Sequence, residues 1–323
     1  MIRYLLDRLV QSAAVLLVMS LVIYSLIGLM PGDPVDLMIS ADPKMTSADA
    51  ARLRALYGLD RPLLARYASW LQAALGGEFG YSRLYARPAL DALWPALKST
   101  TALVGISFAL TLAIALPAGV WAARHPDGPA DRAINLLCFA GISLPPFWLA
   151  ILLILLFAVG LGWLPAGGVP TRGGAGWIDY ARHLMLPVAT LTLHSAGSYL
   201  RFMRASMIET MRQDYIRTAL AKGAGARRVL LQHALRNALI PVVTVVALGF
   251  GGLFSGALIT ETMFAWPGMG KLIFDSIMGN DYNLALLTLL FATLLTLVGN
   301  LLADLGYAWL DPRISYARRE GGA

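Results

Sequence analysis

Side chains able to do chemistry are sparse in this sequence and, with one exception, scattered. The four histidines, His125, His183, His194 and His233, stand far apart. None forms an H-E-x-x-H pair, which would set two imidazoles on one helix face around a zinc ion. There is no G-x-x-x-x-G-K-[ST] loop to cradle phosphates, and Gly268-Met269-Gly270-Lys271 is too short to be one. There is no G-x-S-x-G nucleophile turn. The single cysteine, Cys138, excludes an intrachain disulfide and a cysteine metal cage; it reads as a packed small hydrophobe. The expectation is a chain with no catalytic residue, no metal and no cofactor of its own.

The exception is the stretch 201–238, with eight basic and two acidic residues. Met207, Met211, Tyr215 and Ala219 recur every fourth residue, which gives a helix one apolar side. Gly223 and Gly225 supply a turn. Val229, Leu230, Leu231, Ala234 and Leu235 then restart a helical pattern. A helix, a glycine turn and a second helix make a shape suited to docking in another protein's groove. A DNA-reading helix-turn-helix has the same outline, as does a basic loop with no partner. Position between two long apolar runs argues against the first of these.

Those apolar runs are the elements that must hold the stretch in place. Hydrophobic residues make up 58% of the chain and charged residues 14%, against about 25% charged in soluble domains. Six windows without Lys or Arg, near 9–30, 99–123, 133–163, 184–200, 239–260 and 284–310, are long enough to cross a bilayer. In lipid, runs of this length must be helices, because every backbone group needs an internal partner. The fold class is therefore all-α and integral to the membrane, with about six transmembrane helices. The third window is too long for one straight span, and Pro145-Pro146 should kink or break it. Pro117 and Pro187 are placed to bend their helices. Arg3 and Arg8 before the first window mimic a signal peptide. The apolar run is too long for one and no small-x-small site closes it, so it reads as a retained helix.

Basic residues set the orientation. With the N-terminus inside, the inner segments hold 15 Lys and Arg and the outer ones 11. Eight of the outer 11 lie in 31–98, a segment longer than the loops that count in this rule. Both termini are then cytoplasmic, 201–238 is cytoplasmic, and 31–98 is extracytoplasmic. The resulting division is 1–30 as an N-terminal transmembrane helix, 31–98 as an outer region, 99–311 as a transmembrane core, and 312–323 as a cytoplasmic tail. Amphipathic helices after Asp49 and over Leu63–Leu75 make the outer region either a cap on a channel mouth or a spacer.

Polar groups inside the spans are few. His194 must face protein or water, and is a candidate pore-lining residue with Ser255. Asp304 is the only acid inside a span and sits near its end, a poor basis for proton coupling. Gly249, Gly251, Gly252, Ser255 and Gly256 allow close helix approach, at a gate, at a subunit contact or in ordinary packing. The segment 261–270 holds Glu261, Phe264, Trp266, Pro267 and Gly268. It reads as a re-entrant element at the channel mouth that meets a delivering protein, or as an aromatic interface anchor.

The run Asp214-Tyr215-Ile216-Arg217-Thr218-Ala219-Leu220-Ala221-Lys222-Gly223 resembles the EAA loop of binding-protein-dependent ABC importer permeases. Arg217, Thr218 and Ala219 stand at the E-A-A positions, and the closing proline is displaced to Pro241 in NALIP. Both departures resemble the dipeptide/oligopeptide branch. Further matches are Pro31-Gly32-Asp33-Pro34, Tyr57-Gly58-Leu59-Asp60-Arg61-Pro62-Leu63, Gly77-Glu78-Phe79-Gly80-Tyr81-Ser82, the run 261–270, and Asp311-Pro312-Arg313-Ile314. Asn280-Asp281-Tyr282-Asn283 replaces an RDYP-like segment, and Gly306 stands where a larger apolar residue is common.

The resemblance implies a type I ABC importer permease fold in the bacterial inner membrane and a share in a larger complex. A second homologous permease would complete the pathway, favouring a heterodimer. Two cytoplasmic ATPases would bind ATP and Mg, and an extracytoplasmic protein would deliver peptide. The 214–228 helix would couple to an ATPase through Tyr215, Arg217, Thr218, Ala219, Lys222, Gly223 and Ala224, with Ala219 and Gly223 forming a small-residue contact face. Nickel or a nickel chelate is the alternative cargo. A stand-alone secondary transporter or channel, and a membrane enzyme, are the rival classes. The first needs ionisable groups at mid-membrane and the second a convergent catalytic set. Nucleic acid is not an expected partner.

Overall fold

The computed structural model describes residues 2–29, 46–56, 60–170 and 176–310. Among these the chain is helical apart from one hairpin. In order, the elements are α1 Ile2–Gly28, α2 Ser47–Leu56, α3 Leu63–Leu75, β1 Tyr81–Ser82, β2 Arg87–Pro88, α4 Ala89–Arg124, α5 Pro129–Ser143 and α6 Pro146–Leu153. A π-helical turn, Ile154–Gly160, extends α6. Then come α7 Trp177–Met211, α8 Asp214–Ala221, α9 Ala226–Arg228, a second π turn Val229–Ala234, α10 Leu235–Met263, α11 Met269–Met278 and α12 Tyr282–Leu310. The motif residues 31–34, 57–59 and 311–314, and the tail 312–323, lie outside the described residues.

Two compact units emerge: Met1–Lys98 with Gly268–Leu295, and Ser99–Pro267 with Thr296–Ala323. In the first, Ile23 and Ile27 of α1 bury against Ala285, Leu286 and Leu290 of α12. Short devices fix the segments between. Thr46 and Asp49 form a capping box at the start of α2: the Asp49 N–H donates to Thr46 Oγ1 (3.2 Å), and the Thr46 N–H donates back to the Asp49 carboxylate (3.1 Å). The Thr46 hydroxyl adds a bond of 2.6 Å and, with the N–H, holds the Asp49 carboxyl below its ordinary pKa. The β1–β2 hairpin is clasped by Asp281, which is buried. Its carboxylate accepts from Ser82 Oγ (2.6 Å) and the Leu84 N–H (3.0 Å), and caps α12 through the Leu284 N–H (3.2 Å). Asn283 donates to the Tyr81 carbonyl (3.1 Å). The segment that departs from the family pattern is thus a structural clasp.

In the second unit α7 lies against α5, α6 and α10. Close approach of α5 and α7 rests on glycine at both sides. A Cβ on Gly141 would strike the Leu193 carbonyl, and one on Gly197 the Cys138 carbonyl. Cys138 is buried, as a small hydrophobe should be.

Among the described residues, four helical stretches are long and apolar enough to cross a membrane: Leu6–Gly28, Ala89–Arg124, Ala226–Val246 and Tyr282–Leu302. The third begins upstream of the expected window at 239 and includes Arg227, Arg228 and Arg236. The expected break at Pro145-Pro146 is present: α5 and the α6 helix through Gly160 bend by 106°, a fifth span if counted together. The expected span 184–200 lies inside α7 but is not apolar enough to stand among them. Thr190, Thr192, His194, Ser195 and Ser198 dilute it. Much of this helix is wrapped by protein, and its hydroxyls find partners there: Thr190 donates to the Leu186 carbonyl (2.9 Å) and Thr192 to the Ser107 carbonyl (3.3 Å). Pro117 and Pro187 sit within continuous helices and break neither.

Candidate functional site

The basic stretch 201–238 folds as a hairpin of helices on the end of α7. Gln213 breaks the chain out of α7, and α8 starts at Asp214. The expected single helix over 214–228 is two. α8 stops at Ala221, and the chain turns through Gly223 at φ +81° before restarting at Ala226. The turn has the hydrogen bonds of a Schellman close: Ala224 N–H to the Ala219 carbonyl (3.1 Å) and Gly223 N–H to the Leu220 carbonyl (2.9 Å). Only glycine takes that φ without strain, which ends the helix there.

Periodicity across 207–219 does not describe one face, because the break at 212–213 resets it. Met207 is buried, yet Met211 and Tyr215 are exposed. The residue that anchors α8 is Ile216, 1% exposed, packed with Met203, Met207, Val229, Ala234, Ala238 and Val242. Ala219 and Ala224 also turn toward this core. Of the two small residues expected to make a contact face, Ala219 is half-buried and Gly223 is exposed in the turn. What α8 presents outward is Tyr215, Arg217, Thr218, Leu220 and Lys222. Arg217 lies 3.6 Å from Asp214, both exposed; such pairs contribute little, about 0–1 kcal/mol. Arg227 and Arg228 stand beside them, exposed, around an open hollow with Gly225, Leu231 and Gln232.

Two polar ties brace the hairpin from behind. Arg204, one residue past Met203, donates from Nε and an Nη to the two oxygens of buried Asp131 at the start of α5, both at 2.6 Å. Asp131 also accepts from the Asp127 N–H (2.8 Å) and the Asn135 amide (2.8 Å), so its carboxylate is fully satisfied. Ser206 donates to the Ala238 carbonyl (2.7 Å), joining α7 to α10. In the sequence Ile216 stands out only as a member of the run 214–223, and Asp131 and Arg204 do not stand out. Asp131 four residues before Asn135 at a helix start was the available signal.

The other candidate residues lie elsewhere in the second unit, except Gly268, which belongs to the first. Glu261, Phe264 and Trp266 are buried, whereas Pro267 is exposed. α10 closes on a turn like that of α8, but with Ala265 at φ +48°. The Trp266 N–H donates to the Glu261 carbonyl (2.8 Å), and the Phe264 carbonyl accepts from the Gly168 N–H (2.7 Å). The turn swings Trp266 among Leu103, Leu184, Val188 and Leu191. The Glu261 carboxylate accepts from Thr100 Oγ1 at 2.5 Å. Glu261, Phe264 and Trp266 thus shape the turn from within and do not present a surface. His194 is half-buried on α7, with Nδ1 enclosed and unpartnered. Ser255 is on α10, but its side chain lies outside the described residues. Gly249 meets Tyr199 of α7, where a Cβ would collide with the phenol; at that position the small residue serves helix packing within this chain.

Residues 115–316 match the model of the family described as binding-protein-dependent transport system inner membrane component. Residues 1–115 match that of the N-terminal part of such membrane components. The oligopeptide transport system permease protein AppB of Bacillus subtilis is 37% identical over 318 residues, covering 98% of this chain and 100% of that one. A Sinorhizobium fredii chain named "Probable peptide ABC transporter permease protein y4tP" is 36% identical over 315 residues, covering 97% and 99%.

Proposed function

The chain belongs to the binding-protein-dependent transport system inner membrane components and is a multi-pass ABC importer permease of the bacterial inner membrane; from that premise we propose that it carries peptides and couples to an ATPase through α8. Peptide cargo is supported by the names of the relatives, which match over nearly their whole length. Whether dipeptides or longer peptides are carried is set, on this reading, by the delivering protein. The partners are a second permease, two ATPases and that extracytoplasmic protein. ATP is hydrolysed in the partners, and the permease converts their motion into opening of the path. Both termini and the 201–238 hairpin are cytoplasmic.

The single observation that carries the coupling assignment is α8 itself. It is a short helix whose inner residue, Ile216, is locked into the membrane unit. Its outer face offers Tyr215 and Leu220 as apolar knobs flanked by Arg217 and Lys222. Such a face suits an apolar groove with an acidic rim, and the charges would fix its register more than its affinity. In reconstituted transporter, Gly223→Trp and Lys222→Glu are expected to abolish or sharply reduce ATP-driven peptide uptake while the chain still inserts and ATP is still hydrolysed. Lys222→Glu is exposed and leaves the turn intact, so it separates loss of docking from misfolding. Wild-type uptake by both variants would remove the assignment.

A further inference from the structure

We propose that α3 does not stand in the aqueous outer region but lies in the outer leaflet of the bilayer, its exposed apolar stripe against lipid acyl chains. The argument starts from depth. The apolar part of α1, Leu6–Gly28, is 23 residues long, about 34 Å at 1.5 Å per residue, close to the roughly 30 Å hydrocarbon core. Leu17 is its midpoint.

α3 packs onto α1 well below the end of that span. The Tyr67 hydroxyl is 2.7 Å from Ser20 Oγ and 3.4 Å from the Leu17 carbonyl. The Tyr67 and Trp70 rings each lie 5.6 Å from the ring of Tyr24. Tyr24 is four residues before Gly28, about 6 Å inside the end of the span. α3 therefore runs near the level of Tyr24, with the Tyr67 hydroxyl reaching one side-chain length deeper. That is the depth of an interfacial helix, whose apolar face sinks about 5–10 Å into the headgroup and acyl boundary.

The sequence of α3 divides to suit. Tyr67 and Trp70 face α1, and Leu71 and Ala74 beside them are half-buried. Leu64, Ala68, Leu71 and Leu75 recur at i, i+4, i+7 and i+11, a stripe along one side. Leu64 is 67% exposed and Leu75 82%, more than water would favour for leucines lined up on one face. Ser69 and Gln72, also exposed, lie on the neighbouring side with Ala65. A helix placed in water would gain nothing from the stripe. One held at this depth must offer apolar atoms to lipid, and α1 beside it does so with exposed Val18, Val22 and Leu26.

The test uses single cysteines in a Cys138→Ser background, at Leu64, Ala68 and Leu75 on the stripe and at Ser69 and Gln72 beside it. Each is spin-labelled in the assembled transporter, in vesicles of phosphatidylethanolamine and phosphatidylglycerol. Collision with dissolved oxygen is compared with collision with a water-soluble nickel chelate. The expected ratio is several-fold higher at the three stripe positions than at Ser69 and Gln72. Equal access of the chelate to both sets would place α3 in water and overturn the proposal. Stripe labels immobile and shielded from both reagents would show a protein cover, another permease or the delivering protein, and would overturn it equally. None of these outcomes depends on the cargo or on α8 reaching an ATPase.

Discussion

Ile216 decides how α8 is held. Its side chain is fully enclosed by residues of α7, the second π turn and α10, worth about 1.5–3 kcal/mol in apolar burial alone. Ile216→Ala is expected to cost about 2–5 kcal/mol with its cavity. It should lower the melting temperature of the purified complex and depress uptake, with every outward residue of α8 unchanged; an unaltered melting curve would refute the anchoring role. Arg204 is the polar counterpart. Asp131 is buried while Arg204 is half-buried, so removing the arginine leaves the enclosed carboxylate uncompensated, at a cost below the roughly 3–5 kcal/mol of a fully buried pair. Arg204→Met should therefore destabilise, and Arg204→Met with Asp131→Leu should recover much of the loss, read as melting temperature. No recovery in the double variant would mean that Asp131 works mainly through Asp127 and Asn135. These residues were hard to see in the sequence. Ile216 sits next to Tyr215, whose stripe looks continuous until Gln213 resets the helix phase, and Asp131 and Arg204 lie 73 residues apart. The glycine turn, by contrast, was legible, because Gly223 has a local backbone reason to be glycine.

At the scale of elements, apolar length and proline placement carried most of the reading. The break at Pro145-Pro146 and the helix over Leu63–Leu75 both follow from local chemistry. α7 did not, since a helix covered by its neighbours can bear hydroxyls that a lipid-facing helix cannot. Nor could sequence show that Glu261, Phe264 and Trp266 turn inward, because a helix ended by a non-glycine residue at positive φ, Ala265, gives no signal. The hairpin β1–β2 is a similar case. It is too short to persist alone and depends on Asp281, which serves it and α12 together. Asp281→Ala removes a helix cap, worth about 0.5–2 kcal/mol, and leaves Ser82 and the Leu84 N–H without that acceptor. The expected result is faster proteolysis within 81–88 with α12 still inserted. A cleavage pattern like that of the wild type would contradict the clasp.

The whole molecule is an apolar body with its basic residues gathered at segment ends. Its net charge of +7 is what basic residues that set orientation would give. On the proposed reading, phosphate chemistry belongs to the partners and this chain contributes to the path. The account therefore stands on what the chain assembles with. The most direct measurement is to purify the tagged chain in mild detergent from its native membrane, identify its companions by mass spectrometry, and follow vanadate-sensitive ATP hydrolysis and peptide uptake after reconstitution. The account predicts two ATPases and a second permease in the preparation, with uptake that needs ATP and a peptide-binding protein. A chain that purifies alone and moves substrate without ATPases, under conditions that keep other membrane complexes whole, would contradict it.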